Sequence, residues 1–79
     1  MFPKRWAVQD RSENSLVARI DEGDGPFLVE ATRVPGGWST NVTRVAGGQR
    51  HRLATLVRRE LEDAVDAADR IVLRSRDCC

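Results

Sequence analysis

The chain has no tyrosine, one histidine (His51), one lysine (Lys4), and cysteine only as the terminal pair Cys78-Cys79. Two adjacent cysteines cannot staple a fold or close a metal site. They read as end residues, with a disulfide between two chains as the other option. A lone histidine excludes any paired-histidine metal motif, and no cofactor is expected. A nucleophilic set would have to join His51 to Ser39 or Thr40 and a carboxylate, and nothing in the spacing recommends it. No apolar run exceeds three residues (Ile71-Val72-Leu73 is one), so no segment is long enough to span a membrane as a helix. The first six residues include the charged Lys4 and Arg5 and are not followed by an apolar stretch. No secretory leader is therefore expected, and the cytoplasm is the expected compartment. On that reading the glycosylation-type triplet Asn41-Val42-Thr43 is a chance match. The glycine pairs Gly36-Gly37 and Gly47-Gly48 sit in no phosphate-binding pattern and read as turns.

Strong charge of one sign is also missing, since the net charge is +1. That balance is unlike a general nucleic-acid coat, so any electrostatic role must come from local clustering. At 79 residues the chain is one domain (1–79) with a thin core and little room for an enclosed substrate pocket. The size favours surface recognition over metabolic catalysis. With 41% apolar and 32% charged residues it is globular rather than disordered. Twelve of its thirteen basic residues are arginine. Arginine suits bidentate recognition of phosphate or carboxylate. The same bias, with plentiful Ala and Val, is also what GC-rich coding produces, as in a high-GC bacterium or its phage.

Three alternating segments predict strands. In residues 15–21, Leu16, Ala18 and Ile20 share one face. In residues 26–34, Phe27, Val29 and Ala31 do the same, with Leu28, Glu30, Thr32 and Val34 opposite. Residues 38–45 form the third, with Trp38 and Val42 on the core side. Glu22-Gly23-Asp24-Gly25 and Pro35-Gly36-Gly37 supply the turns between them. Arg5 to Gln9 can add a fourth, edge strand, with Trp6 packed on the core. A long amphipathic helix is predicted over residues 51–73. Leu53, Val57, Leu61, Ala64, Ala68 and Ile71 recur there at spacings of three or four, widened by Leu56, Val65 and Val72. Ile71 to Leu73 fits either the end of that helix or a last short strand. The expected fold is therefore α+β: a three- or four-stranded antiparallel sheet followed by one helix on one face.

Three surfaces stand out as contacts. Arg44, Arg50, His51 and Arg52, with Arg59, form a basic cluster at what would be the helix N-terminus. The macrodipole disfavours cations there, and no good cap residue is present. A broken local rule of this kind points to an anion, either a phosphate or an acidic protein surface. The helix then turns acidic through Glu62, Asp63 and Asp66, a face able to engage a basic partner. A solvated helix face with Arg59–Asp63 and Asp66–Arg70 pairs explains the same residues. Val17, Leu28 and Val34 lie on the sheet face that a single helix cannot cover, a candidate interface that makes a homodimer plausible.

The stretch from Phe27 to Thr40, containing Val34-Pro35-Gly36, followed by Arg52 to Ala64, resembles the HicB-like antitoxin fold. The resemblance covers about half of the chain. It implies a domain that binds and blocks a small toxin nuclease. The insertion from Ala46 to His51 departs from that family's short connection, and no separate DNA-binding tail is expected. In general character the chain is also similar to phage-encoded inhibitors of host defence, including anti-CRISPR proteins. A looser likeness is to integrase arm-binding domains, but the face expected to read DNA carries Arg19 with Glu30 and Asp21 beside it. The expected function is thus a non-catalytic inhibitor of a nucleic-acid-handling protein or nucleoprotein complex. The alternatives are direct DNA or RNA binding through Arg44, Arg50 and Arg52, and a small ribonuclease on His51 with Arg50 and Arg52 as phosphate clamps.

Overall fold

The computed structural model describes residues 2–21 and 26–77, with side chains through Ser75. The turn expected at Glu22 to Gly25 and the terminal cysteines lie outside the described residues. The order is β1 (Trp6–Arg11), β2 (Ser15–Ile20), β3 (Phe27–Val34), β4 (Gly37–Ala46), β5 (Gln49–Arg58) and α1 (Leu61–Asp77). The strands form one antiparallel sheet in which each pairs with the next in sequence. The class is α+β as expected, but the sheet has five strands rather than three or four.

Side-chain alternation places the core on one face. Leu16, Ala18 and Ile20 of β2 meet Phe27, Val29 and Ala31 of β3, in the register Leu16↔Ala31, Ala18↔Val29 and Ile20↔Phe27. Val29 in turn faces Val42 of β4, and Ala31 faces Thr40. Helix α1 lies across β4 and β5 and reaches β3. It buries Ala64, Val65, Ala68 and Val72, with Leu61 and Ile71 half-buried beside them. The small Ala64 and Ala68 let the helix axis approach the sheet closely. Each Val, Leu or Phe removed from water in this way contributes about 1.5–3 kcal/mol.

Residues 51–58 are not the start of the helix. They belong to β5, and the helix begins at Leu61. Gly47 and Gly48 have φ of 58° and 78°. Two consecutive positive φ values form the two-residue turn whose twist matches a hairpin, so the chain reverses there instead of leaving the sheet. Ala54 and Leu56 then pair with Val42 and Thr40 and tuck half-buried beneath α1. Leu53 is an extra residue in that ladder, a bulge between Val42↔Ala54 and Thr43↔Arg52. Ile71 to Leu73 stay helical, because Val72 is fully buried against the sheet.

The N-terminal segment is the expected edge strand, and it is clamped to the helix. The Trp6 indole Nε1 donates to Asp69 Oδ1 at 3.0 Å, and Arg5 donates to Asp69 Oδ2. Phe2 stacks on Trp6 with ring centroids 6.1 Å apart, and Arg11 lies over the Phe2 ring at 5.2 Å. At the other end of the sheet, Gly37 has φ of 149°, and a Cβ there would lie 2.2 Å from the Arg58 carbonyl oxygen. Only glycine lets the β3–β4 turn close against the end of β5.

Candidate binding surfaces

The β4–β5 hairpin gathers most of the basic cluster at one end of the molecule. It continues through the pairs Val45↔Arg50 and Ala46↔Gln49, past the pairing of Arg44 with Phe27 at the start of β3. Alternation divides the cations between two faces. Arg50 and Arg52 stand on the face away from the helix, and Arg44 and His51, opposite each other, stand on the helix side. Arg50, His51 and Arg52 are exposed. Arg44 is half-buried beside Phe27, with its Nε shielded from water, so it also closes the end of the core. Arg59 is not part of this group. It follows β5 at the opposite end of the sheet, next to Glu60.

Residues 44 and 50–52 are not at a helix N-terminus, so no helix dipole favours an anion beside them. The first helical turn carries Glu62 and Asp63, and the Glu60 carbonyl accepts the Ala64 N–H at 3.1 Å. Negative charge at that end agrees with the macrodipole. Arg44, Arg50 and Arg52 break no helical rule, because they belong to strands.

The helix face is of mixed sign. Glu62, Asp63 and Asp66 are exposed as expected, and Asp66 pairs with Arg70 at 3.3 Å one turn on. The expected Arg59–Asp63 helical pair has no helical spacing to form in, since Arg59 precedes α1. Asp63 and Asp66 share a groove between α1 and β5 with Arg58, Arg70 and Arg74. Asp69 faces inward onto Arg5 and Trp6 and belongs to the fold rather than to a contact surface.

On the open sheet face, Val17 and Leu28 are half-buried diagonal neighbours, from the pairs Val17↔Glu30 and Arg19↔Leu28. Val34 is on the same face, at the far end beside Gly37. Polar residues separate them. Asn41 and Thr43 sit opposite Glu30 and Leu28, and the Thr55 hydroxyl donates to Asn41 Oδ1 at 2.8 Å. Arg19 pairs with Asp21 at 2.9 Å. Glu30, Asn41, Thr43, Arg50 and Arg52 together line a shallow depression of about 320 Å³. The hairpin arginines therefore continue onto a hydrogen-bonding surface.

The sheet register keeps the nucleophilic set apart. His51 pairs with Arg44, whereas Ser39 pairs with Val57 near the other end of β4, and Thr40 is buried in the core. At about 3.3 Å per residue, five positions separate Ser39 from Arg44 by roughly 17 Å. Among the described residues no group of His, Cys, Asp or Glu is placed to hold a metal ion, and no helix is long and apolar enough to cross a membrane.

Two features escape the sequence reading. One is the inward Asp69, which borders the apolar stripe, four residues from Val65 and three from Val72. The other is a cleft at the turn end of the sheet, where Arg33 and Trp38, distant from Arg59 in sequence, come together with it. No protein-family model matches the chain, and no curated protein or solved structure matches it.

Proposed function

We propose that this protein is a non-catalytic inhibitor that docks its basic β4–β5 hairpin on an anionic surface of a nucleic-acid-handling partner and occludes it. The observation that carries this reading is the hairpin itself. Arg50, His51 and Arg52 are exposed on consecutive positions of β5, beyond a tight two-glycine turn, and enter no ion pair among the described residues. A β-hairpin presents such side chains at little ordering cost, because the strand pairing already holds their backbone. Guanidinium forks at its end suit carboxylate or phosphate. The adjoining Asn41, Thr43 and Thr55 add hydrogen-bonding groups for a protein surface. The net charge of +1 favours a discrete partner over indiscriminate coating of nucleic acid. An anti-defence or antitoxin-like role fits this architecture. Residues 52–58, where the antitoxin resemblance would start its helix, are strand, so that likeness rests on the part from Phe27 to Thr40.

Capture of partners on the tagged chain, with and without nuclease treatment, tests the reading. A protein retained after nuclease, and lost from an Arg50→Glu/Arg52→Glu variant, supports it. Recovery of nucleic acid alone, with all protein lost after nuclease, overturns it in favour of direct nucleic-acid binding. In that case affinity should fall steeply with salt, by about 0.9 in log–log slope per phosphate contacted on duplex DNA.

A further inference from the structure

At the opposite end of β4 from the basic hairpin, the turn from Val34 to Gly37 and the segment Arg59 to Leu61 wall a cleft of about 740 Å³. It is at least as open to solvent as the depression on the sheet face, and its volume falls within the range of small-molecule sites. Three features of its wall combine. Trp38 is half-buried and packed on the core, so its indole is held in place while part of it lines the cleft. Arg33, the cross-strand neighbour of Trp38, and Arg59 are exposed and enter no ion pair among the described residues. Glu60 lies on the same wall as an acceptor.

Each feature narrows the ligand. A fixed indole favours a flat π-system, which stacks with little loss of side-chain freedom. Two guanidiniums beside it favour a phosphate, which accepts paired N–H bonds from each fork. The carboxylate of Glu60 disfavours a simple anion but accepts from an amino or imino N–H, as nucleobases carry. The turn contributes Gly36, which has no side chain to obstruct entry.

We infer that this cleft binds a nucleotide unit, with its base on Trp38, its phosphate between Arg33 and Arg59, and a base N–H directed to Glu60. The same chemistry is found in a free mononucleotide and in a nucleotide of a single strand. The site is separate from the hairpin surface, so it stands or falls independently of the inhibitor reading.

The test is a titration of the full chain with adenosine 5′-monophosphate, followed by the two indole N–H signals in ¹H–¹⁵N correlation spectra. Trp6, buried and bonded to Asp69, is an internal reference. Saturable movement of the Trp38 signal, with Trp6 unmoved, is expected. Ribose 5-phosphate, lacking the base, should bind about tenfold or more weaker. An Arg33→Ala/Arg59→Ala variant should lose about tenfold or more in affinity, whereas Arg50→Glu/Arg52→Glu should bind as the parent does. Since Arg33 and Arg59 are exposed, the variant should keep the parent's circular dichroism, and Trp38→Phe provides a second, milder probe of the stack. A short oligonucleotide binding tighter than the mononucleotide assigns the site to single strands, and the reverse assigns it to free nucleotide. No movement of Trp38 up to about 1 mM ligand, or equal affinity in the Arg33→Ala/Arg59→Ala variant, overturns the assignment.

Discussion

Replacing Asp69 by alanine should destabilise the protein far more than replacing any acid on the outer helix face. The Asp69 side chain is only 14% exposed and accepts from both the Trp6 indole and Arg5, whose side chain is 29% exposed. Its removal leaves the indole N–H of a nearly buried tryptophan without an acceptor, which costs about 1–3 kcal/mol. It also removes the carboxylate that pairs with the part-buried Arg5 guanidinium. That loss counts at the low end of the range for charged hydrogen bonds, because solvent still reaches the arginine, so about 1 kcal/mol is added. The sum is about 2–4 kcal/mol. A domain of this length has about 4–12 kcal/mol in all, so the melting temperature should fall by about 10–25 °C. Asp66→Ala is the matched control on the same helix. Its partner Arg70 is 75% exposed, and a surface pair of that kind contributes about 0–1 kcal/mol. Asp69→Asn separates the two contributions, since an amide oxygen can still accept from Trp6 while the charge facing Arg5 is lost. Urea denaturation followed by tryptophan fluorescence and circular dichroism measures all three. If Asp69→Ala unfolds within about 0.5 kcal/mol of Asp66→Ala, the clamp between the N-terminal strand and the helix does not hold the fold together.

Other variants probe the remaining elements. The buried Thr40 hydroxyl has no hydrogen-bond partner among the described residues, so Thr40→Val should raise stability by about 1 kcal/mol in the same denaturation assay. Gly37→Ala should cost about 2 kcal/mol or more, because its Cβ would meet the Arg58 carbonyl and its φ is unfavourable for an L-residue. Exchange of Gly47-Gly48 for Asn-Gly should preserve the fold and its melting temperature, whereas Val-Val should lower stability by about 2 kcal/mol and broaden the β5 amide signals.

Much of the sheet was legible because its buried positions alternate without interruption. Leu16, Ala18 and Ile20, then Phe27, Val29 and Ala31, mark β2 and β3 with hydrophobic side chains at every second place. Strand β5 was not legible for two physical reasons. Its half-buried apolar residues on the helix side are Ala54 and Leu56, and the bulge at Leu53 shifts the alternation. Leu53, Val57 and Leu61 then fall at a spacing of four, which imitates a helix continuous with the real one. The cue that outweighs this pattern is Gly47-Gly48, a two-residue hairpin turn followed by Thr55 and Val57, residues suited to a strand. Residues 44, 50, 51 and 52 come to one end of the molecule because a hairpin brings near neighbours together, although alternation divides them between its two faces. Arg59 could not be excluded without knowing that β5 carries the chain the length of the sheet before it. The cleft of Arg33, Trp38 and Arg59 depends on contact between two distant segments, and no local pattern encodes it.

The most direct test of the hairpin interface is the affinity of the captured partner for the parent protein and for Arg50→Glu/Arg52→Glu, measured at equal ionic strength with folding verified by circular dichroism. Both side chains are exposed, so the variant should keep the parent's stability within about 0.5 kcal/mol. Affinity should fall by about 100-fold or more, as expected when two charges at an interface are reversed. Undiminished affinity in a folded variant would contradict the account and move the partner to another surface of the protein.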